Sequence, residues 1–305
     1  MKHTYKITIL MLSVFFLTQI IGLAITKEYI NINQHINPET KAVTKELVSK
    51  DLPYSIERPQ VNESTSYIWI VVAIILGTLL LLLLIRFNKF NLWKLWFFVA
   101  VLFTMSIALS AFIPETIAAV IAFILAIFKV FKPTTLLQNL TEILIYGGLA
   151  AIFVPIINIF AAFMLLILIS IYDIIAVNKT KHMITLAKFQ AKSKVFAGLM
   201  IPYDGKKDRI LSVKKTDGFA KKARIAVLGG GDIGFPLIFA GVVMKTLLLQ
   251  NTELIGFLKV LIIPFFVTLA LAYLLAKGEQ DKFYPAMPYL SAGCLAGYLV
   301  ILFVF

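Results

Sequence analysis

Two aspartates, Asp173 and Asp232, lie inside apolar runs of a chain that keeps most of its charge out of them. The first run reads Leu165-Leu-Ile-Leu-Ile-Ser-Ile-Tyr172-Asp173-Ile-Ile-Ala-Val177. The second reads Ile225-Ala-Val-Leu-Gly229-Gly230-Gly231-Asp232-Ile-Gly234-Phe-Pro236. An ionisable side chain at membrane depth costs roughly 2.5–3.5 kcal/mol on insertion scales, so it marks a functional site by default. Two of the same sign in neighbouring segments point to one shared site. A carboxylate pair can divide the work on a single water, one group taking a proton while the other gives one.

Depth supports the pairing. Asp173 precedes Val177-Asn178-Lys179 by four residues, so it belongs to the last turns of its helix. Asp232 lies about eight residues into a span expected to begin near Arg224, entering from the same side. At about 1.5 Å per residue both carboxylates are expected a few turns below one interface. Gly229-Gly230-Gly231 weakens helix there but lets another backbone come close, which makes room for substrate and water. Pro285-Ala286-Met287-Pro288 opens the last apolar run. Its prolines cannot donate backbone hydrogen bonds, so the helix starts irregularly, with backbone groups open to a guest chain. Gly293 and Gly297 then form a Gly-x-x-x-Gly face suited to close helix contact.

The elements that must hold these residues are apolar helices. The 305-residue chain is 60% apolar and 15% charged, with mean hydropathy +0.91. Several runs exceed the ~18 apolar residues that read as a spanning helix. The expected fold class is all-α, a polytopic membrane protein with nine transmembrane helices forming one domain over residues 1–305. The nine spans are 7–26, 67–85, 92–112, 114–131, 136–154, 157–177, 224–245, 254–276 and 284–304. Only Pro155 and Asn158 mark the break within 136–177, which a single kinked helix would also fit. The first span has a basic start at Lys2 and Lys6 but is longer than a signal-peptide core. It exits through the poor cleavage sequence Leu23-Ala24-Ile25-Thr26-Lys27, and is read as a retained helix.

The formal charge of +13 would suggest nucleic acid in a soluble protein. Here the basic residues crowd into particular loops, which is an orientation signal, and no nucleic-acid partner is expected. Residues 178–224 hold 13 Lys/Arg against 3 Asp, a net of +10, so the loop 178–223 between spans six and seven is read as cytoplasmic. With nine alternating spans Lys2 and Lys6, Arg86, Lys89 and Lys94, and Lys129 and Lys132 fall on that side. The loop 27–66 mixes five basic with six acidic residues and fits the outside. The expected location is therefore the cell membrane, with the N-terminus cytoplasmic and the C-terminus outside. Turns are expected at Pro202-Tyr-Asp-Gly205 and Asp217-Gly218 in the basic loop. A lone Cys294 excludes an intramolecular disulfide and a cysteine zinc site, and His3, His35 and His182 lie outside the apolar runs. No metal or other cofactor is expected. Glu142, Asn158 and Lys259 fall in or beside spans and read as structural, Lys259 by snorkelling or internal pairing. Asn62-Glu-Ser64 is a glycosylation pattern of low specificity.

Tyr172-Asp173, Gly229-Gly230-Gly231-Asp232 and Pro285-Ala286-Met287, in that order on spans six, seven and nine, resemble presenilin and signal peptide peptidase. These intramembrane aspartyl proteases carry Tyr-Asp, Gly-x-Gly-Asp and Pro-Ala-Leu motifs, and this chain looks most like their compact microbial homologues. Each motif is weak alone; three in register are strong. Met287 departs from the family Leu but is close in volume. Pro288 and the cytoplasmic basic loop resemble presenilin more than signal peptide peptidase, whose orientation is reversed. The resemblance implies that Asp173 and Asp232 share a proton and activate water, that Tyr172 lines the site, and that residues 285–287 border the substrate. It implies substrates that are transmembrane helices of other membrane proteins, met within the lipid bilayer. Such a helix must unwind before cleavage, and its freed backbone needs partners in lipid. Strand pairing near the start of span seven would supply them.

Two other classes compete. An ion or solute transporter can also place a buried Asp at a broken, glycine-rich helix. It has no need of the Tyr-Asp and Pro-Ala-Met segments in register. A prepilin-peptidase-like enzyme also uses a Gly-x-Gly-Asp aspartate, but its span count and remaining motifs fit less well. Nothing in the residues specifies the oligomeric state.

Overall fold

The computed structural model describes residues 4–36, 43–180, 189, 195–202, 225–279 and 284–304. Its helices are α1 (Tyr5–Lys27), α2 (Ser66–Arg86), α3 (Phe90–Ser110), α4 (Glu115–Phe131), α5 (Thr135–Phe153), α6 (Ile159–Ile175), α7 (Gly230–Gln250), α8 (Glu253–Val260), α9 (Ile262–Lys277) and α10 (Met287–Val304). Among the described residues eight helical segments are long and apolar enough to cross a membrane, α8 and α9 counting as one. Helix α4, the remaining expected span, has 17 residues and falls just below that length. The α8–α9 interruption follows from Pro264, which has no N–H to give the carbonyl of Val260.

The doubtful break within 136–177 is real. Helix α5 stops at Phe153, a 3₁₀ turn covers Val154–Ile156, and the Asn158 side chain caps α6 by accepting the Ala161 N–H at 2.8 Å. The carbonyls freed around Pro155 are not left bare. Lys245 Nζ donates to those of Val154, Pro155 and Ile157 at 3.3, 3.2 and 3.0 Å.

Alternation of the spans shows in the contacts at one end of the bundle. Lys27 at the end of α1 pairs with Glu253 at the start of α8 at 2.9 Å. The Tyr29 hydroxyl donates to the Ile107 carbonyl at 2.6 Å, and the Tyr54 hydroxyl to the Glu115 carbonyl at 2.8 Å. Asn158 Nδ2 reaches Ser64 at 3.0 Å. The same end carries an antiparallel hairpin, β1 (Ile30–Ile36) with β2 (Val43–Ser49), which the all-helical expectation did not include. The end of α6, the start of α7 and the start of α10 therefore share the opposite end.

Helix α7 is the axis of the fold, packed against α1, α5, α6 and α10. By contrast α2 has only Ser66 and Leu84 buried. The Gly-x-x-x-Gly face works as expected. A Cβ on Gly293 would lie 2.9 Å from the Val267 Cα, and one on Gly297 2.8 Å from the Ile263 Cα, so α10 and α9 touch backbone to backbone.

One expectation is corrected. Span seven does not begin as helix near residue 224. Residues 225–229 form strand β4 (Ile225–Gly229), paired antiparallel with β3 (Gly198–Pro202), and helix starts only at Gly230. Three glycines disfavour helix at its entrance, and a partner strand supplies the backbone hydrogen bonds instead. Gly198 has φ +143°, where a side chain is strained and would strike the Leu228 carbonyl. Of the basic loop 178–223, residues 181–188, 190–194 and 203–223, with both turn signals, lie outside the described residues.

Candidate active site

Asp173 sits in the last turn of α6 and its Oδ2 accepts the backbone N–H of Met287 at 3.0 Å. Met287 is the first residue of α10, so this N–H has no partner within its own helix. The irregular start of α10 thus gives its free donor to Asp173, not to a guest chain as the sequence suggested. Asp232 lies in the first turn of α7, not eight residues into it. A Cβ on Gly229 would meet Asp232 Oδ2 at 3.3 Å, so the carboxyl folds back over the strand-to-helix junction. Each carboxyl thus meets a helix N-terminus, that of Asp173 the start of α10 and that of Asp232 the start of its own α7, where the helix dipole favours negative charge. Pro236, inside α7, denies the Asp232 carbonyl its usual N–H partner. One residue on, the Ile233 carbonyl accepts Gln19 Nε2 of α1 at 2.9 Å, which fixes this bent turn against a second helix.

A cavity of ≈ 810 Å³ opens beside Asp232. Its lining brings together Gly229, Gly230, Gly231, Asp232 and Ala286 from the sequence-derived set. Asp173 is not part of that lining; it meets the group through the 286–287 backbone. Helices α6 and α7 pack directly on each other. Pro285 is half-buried, and Met287 is buried in the core. The Tyr172 hydroxyl hydrogen-bonds with that of Thr78 on α2 at 3.2 Å, so it faces the thinly packed helix instead of the cavity. The glycines differ in role. A Cβ on Gly230 would come 2.5 Å from the Tyr146 hydroxyl, whereas one on Gly231 meets only Phe235 at 3.4 Å.

Sequence reasoning missed a polar cluster next to this cavity. Lys129 reads in the sequence as a charge at a span end; in the fold it is 2% exposed and paired with Glu142 Oε1 at 2.6 Å. Its Nζ also donates to Gln138 Oε1 and to Thr141 Oγ1, each at 3.0 Å. Gln138 Nε2 donates to Glu142 Oε1 at 2.8 Å and to the carbonyls of Phe196 and Gly198 at 2.9 and 3.0 Å. Asn139 clasps the backbone of Met200 in both directions at 2.9 Å. The start of α5 therefore holds β3, and β3 holds β4, which leads into Asp232. A signal was present: opposite charges on either side of Lys132-Pro133 fall opposite each other once two helices fold back as a hairpin. Lys259 pairs internally with Asn251 Oδ1 at 2.8 Å, as expected.

The family described as "Signal-peptide peptidase, presenilin aspartyl protease" matches residues 41–305. No curated protein matches. Among solved structures, a presenilin family intramembrane aspartate protease in space group C222 superposes with TM-score 0.59 at 20% identity, covering 96% of this chain and 99% of that one. Another structure with the same description, in space group P2, gives 0.58 at 18% identity and covers 97% of each chain. At these identities the likeness concerns the fold.

Proposed function

The chain belongs to the signal-peptide peptidase and presenilin aspartyl protease family, and from that premise we propose that it hydrolyses peptide bonds within transmembrane segments of other membrane proteins, using Asp173 and Asp232. The observation that carries this reading is the Met287 N–H bond to Asp173. It joins the Tyr-Asp segment to the Pro-Ala-Met segment, whose Ala286 shares a cavity with Asp232. In the reaction one carboxylate takes a proton from water as the oxygen attacks the scissile carbonyl carbon. The other, protonated, gives its proton to the carbonyl oxygen. Collapse of the tetrahedral species returns a proton to the leaving nitrogen and yields an acid and an amine. Two close carboxylates titrate as a pair, so an apparent titration belongs to the pair and not to either residue. An unwound substrate would lie along β4, since among the described residues only β3 pairs with it and its Val227 is exposed beside the cavity. The comparisons do not favour the transporter alternative.

The test is to incubate the purified chain in detergent micelles with single-span substrate proteins and to map the products by mass spectrometry. Cleavage inside the spanning segment, absent with Asp173→Ala, is expected. Intact substrate under all conditions would remove the protease reading.

Ala286 is the lining residue nearest in sequence to the Asp173 contact, and it is buried. Ala286→Trp fills space that a guest backbone needs and is expected to slow cleavage roughly 100-fold per folded protein. Met287→Leu changes little volume and should stay within a few-fold of wild type. Normal activity in Ala286→Trp would put the substrate elsewhere.

The proposed orientation places the basic loop in the cytoplasm. Cys294 is the chain's one cysteine and is buried, so a label at Lys207→Cys, outside the described residues, reports that loop alone. It is expected to resist impermeant thiol reagents in intact cells. Efficient labelling from outside would invert the topology.

A further inference from the structure

A second carboxylate lines the cavity beside Asp232, and the family motifs do not include it. Glu142 and Tyr146 are one turn apart on α5, on the same face, and both line the cavity with Asp232. Glu142 is fully buried and Tyr146 is 4% exposed. Glu142 Oε1 is saturated by Lys129 and Gln138, while Glu142 Oε2 and the Tyr146 hydroxyl have no hydrogen-bond partner among the described residues. An unpartnered polar atom buried in a membrane protein is expensive, and two that adjoin one cavity are more so. The tyrosine is also tightly fitted. Its hydroxyl rests on the backbone of Gly230, close enough that only glycine fits, and its ring lies 3.7 Å from where a Cβ of Gly234 would be. Gly230 and Gly234 flank Asp232 on the first turns of α7.

We propose that Tyr146, backed by Glu142 and Lys129, is a positioning residue for the catalytic aspartates, holding the shared proton on the Asp232 side of the pair. This rests on the protease reading above. Lys129 Nζ is bonded to Glu142 Oε1, and the remaining oxygen, Oε2, needs a donor. The Tyr146 O–H, one turn along the same face, is the donor assigned to that oxygen in the proposed arrangement. Its own oxygen is then left as an acceptor, directed at the cavity, and pairs with an acid that carries a proton or with a water bound to it. The arrangement has a direction set by the fixed charges, running Lys129, Glu142, Tyr146, Asp232. Among the described residues, the other ionisable groups near it are Asp173 on α6, held by the Met287 amide, and the phenol of Tyr284 in the lining.

The test uses the full chain with Tyr146→Phe and, separately, Glu142→Gln, each measured for kcat, KM, pH profile and melting temperature on a single-span substrate. Tyr146→Phe keeps the ring against Gly230 and should melt as wild type. Its kcat is expected to fall roughly 10- to 100-fold with KM unchanged. The alkaline limb of the profile should move to lower pH by about one unit, because the acceptor that favours the protonated pair is gone. Glu142→Gln should move that limb the same way, since it removes a negative charge and leaves the Lys129 cation. A Tyr146→Phe profile superimposable on wild type, whatever the rate, would overturn the positioning role and leave the protease reading intact. Failure of wild type itself to cleave would overturn both.

Discussion

Asp173→Asn and Asp232→Asn, made singly, are each expected to slow cleavage at least about 100-fold while leaving the fold in place. The chemistry needs two different states of the pair at once, a base for the water and an acid for the carbonyl oxygen, and an amide can be neither. The fold should survive for reasons visible at each position. In Asp173→Asn the side-chain amide oxygen can still accept the Met287 N–H, so the contact between α6 and α10 persists. Asp232 stands in the first turn of α7, where Asn is well tolerated. Replacing an ionisable group by a neutral one within the bilayer also removes a solvation cost. The double mutant should be little worse than either single one, because groups that act as a unit lose their effect together. Rates per folded protein, with melting temperature in parallel, decide the matter. Either single mutant retaining more than a few per cent of activity would reject the dyad.

What could be read in advance follows from how a bilayer filters residues. Charges inside apolar runs are costly, so Asp173 and Asp232 announced themselves, and prolines and glycines marked breaks because each acts locally on the backbone. The stop at Pro155 and the α9–α10 contact at Gly293 and Gly297 were legible for that reason. Packing faces were not. Helices α2 and α7 both lack a one-sided apolar stripe, yet α2 has only two buried residues and α7 is the buried axis. Lipid and protein core select the same side chains, so no stripe distinguishes them. Strand β4 was hidden for a related reason. Ile225-Ala-Val-Leu is too short to show a period, and a short apolar run reads equally as helix or strand. Its partner β3 lies more than twenty residues upstream, across a stretch whose composition shows only charge. The place of Lys129 was hidden because a lysine near a span end usually snorkels to the interface; here a carboxylate on the next helix draws it inward.

That buried pair leads to the last large effect. Lys129→Ala is expected to cost ~3–5 kcal/mol of stability, because it strands the Glu142 carboxylate in the core with its counter-charge gone. The damage should not stay local. Gln138 is oriented by Lys129 and Glu142 and in turn holds the carbonyls of Phe196 and Gly198, where β3 begins. Loosening it frees the sheet whose second strand runs into Gly229 and Asp232. Lys129→Met combined with Glu142→Leu tests whether charge or mere shape is at stake. Apolar residues of similar volume can replace a buried ion pair at little cost, so the double mutant should regain most of the lost stability. Gln138 keeps its two backbone acceptors in that background, and β3 should stay docked. Cleavage should nevertheless remain slow, since Tyr146 has lost the carboxylate proposed to accept its hydrogen bond. Unfolding measured for all three proteins in the same detergent separates the two roles. A Lys129→Ala protein as stable as wild type would mean that Glu142 is not charged in the folded chain, and the directional arrangement built on it would fall as well.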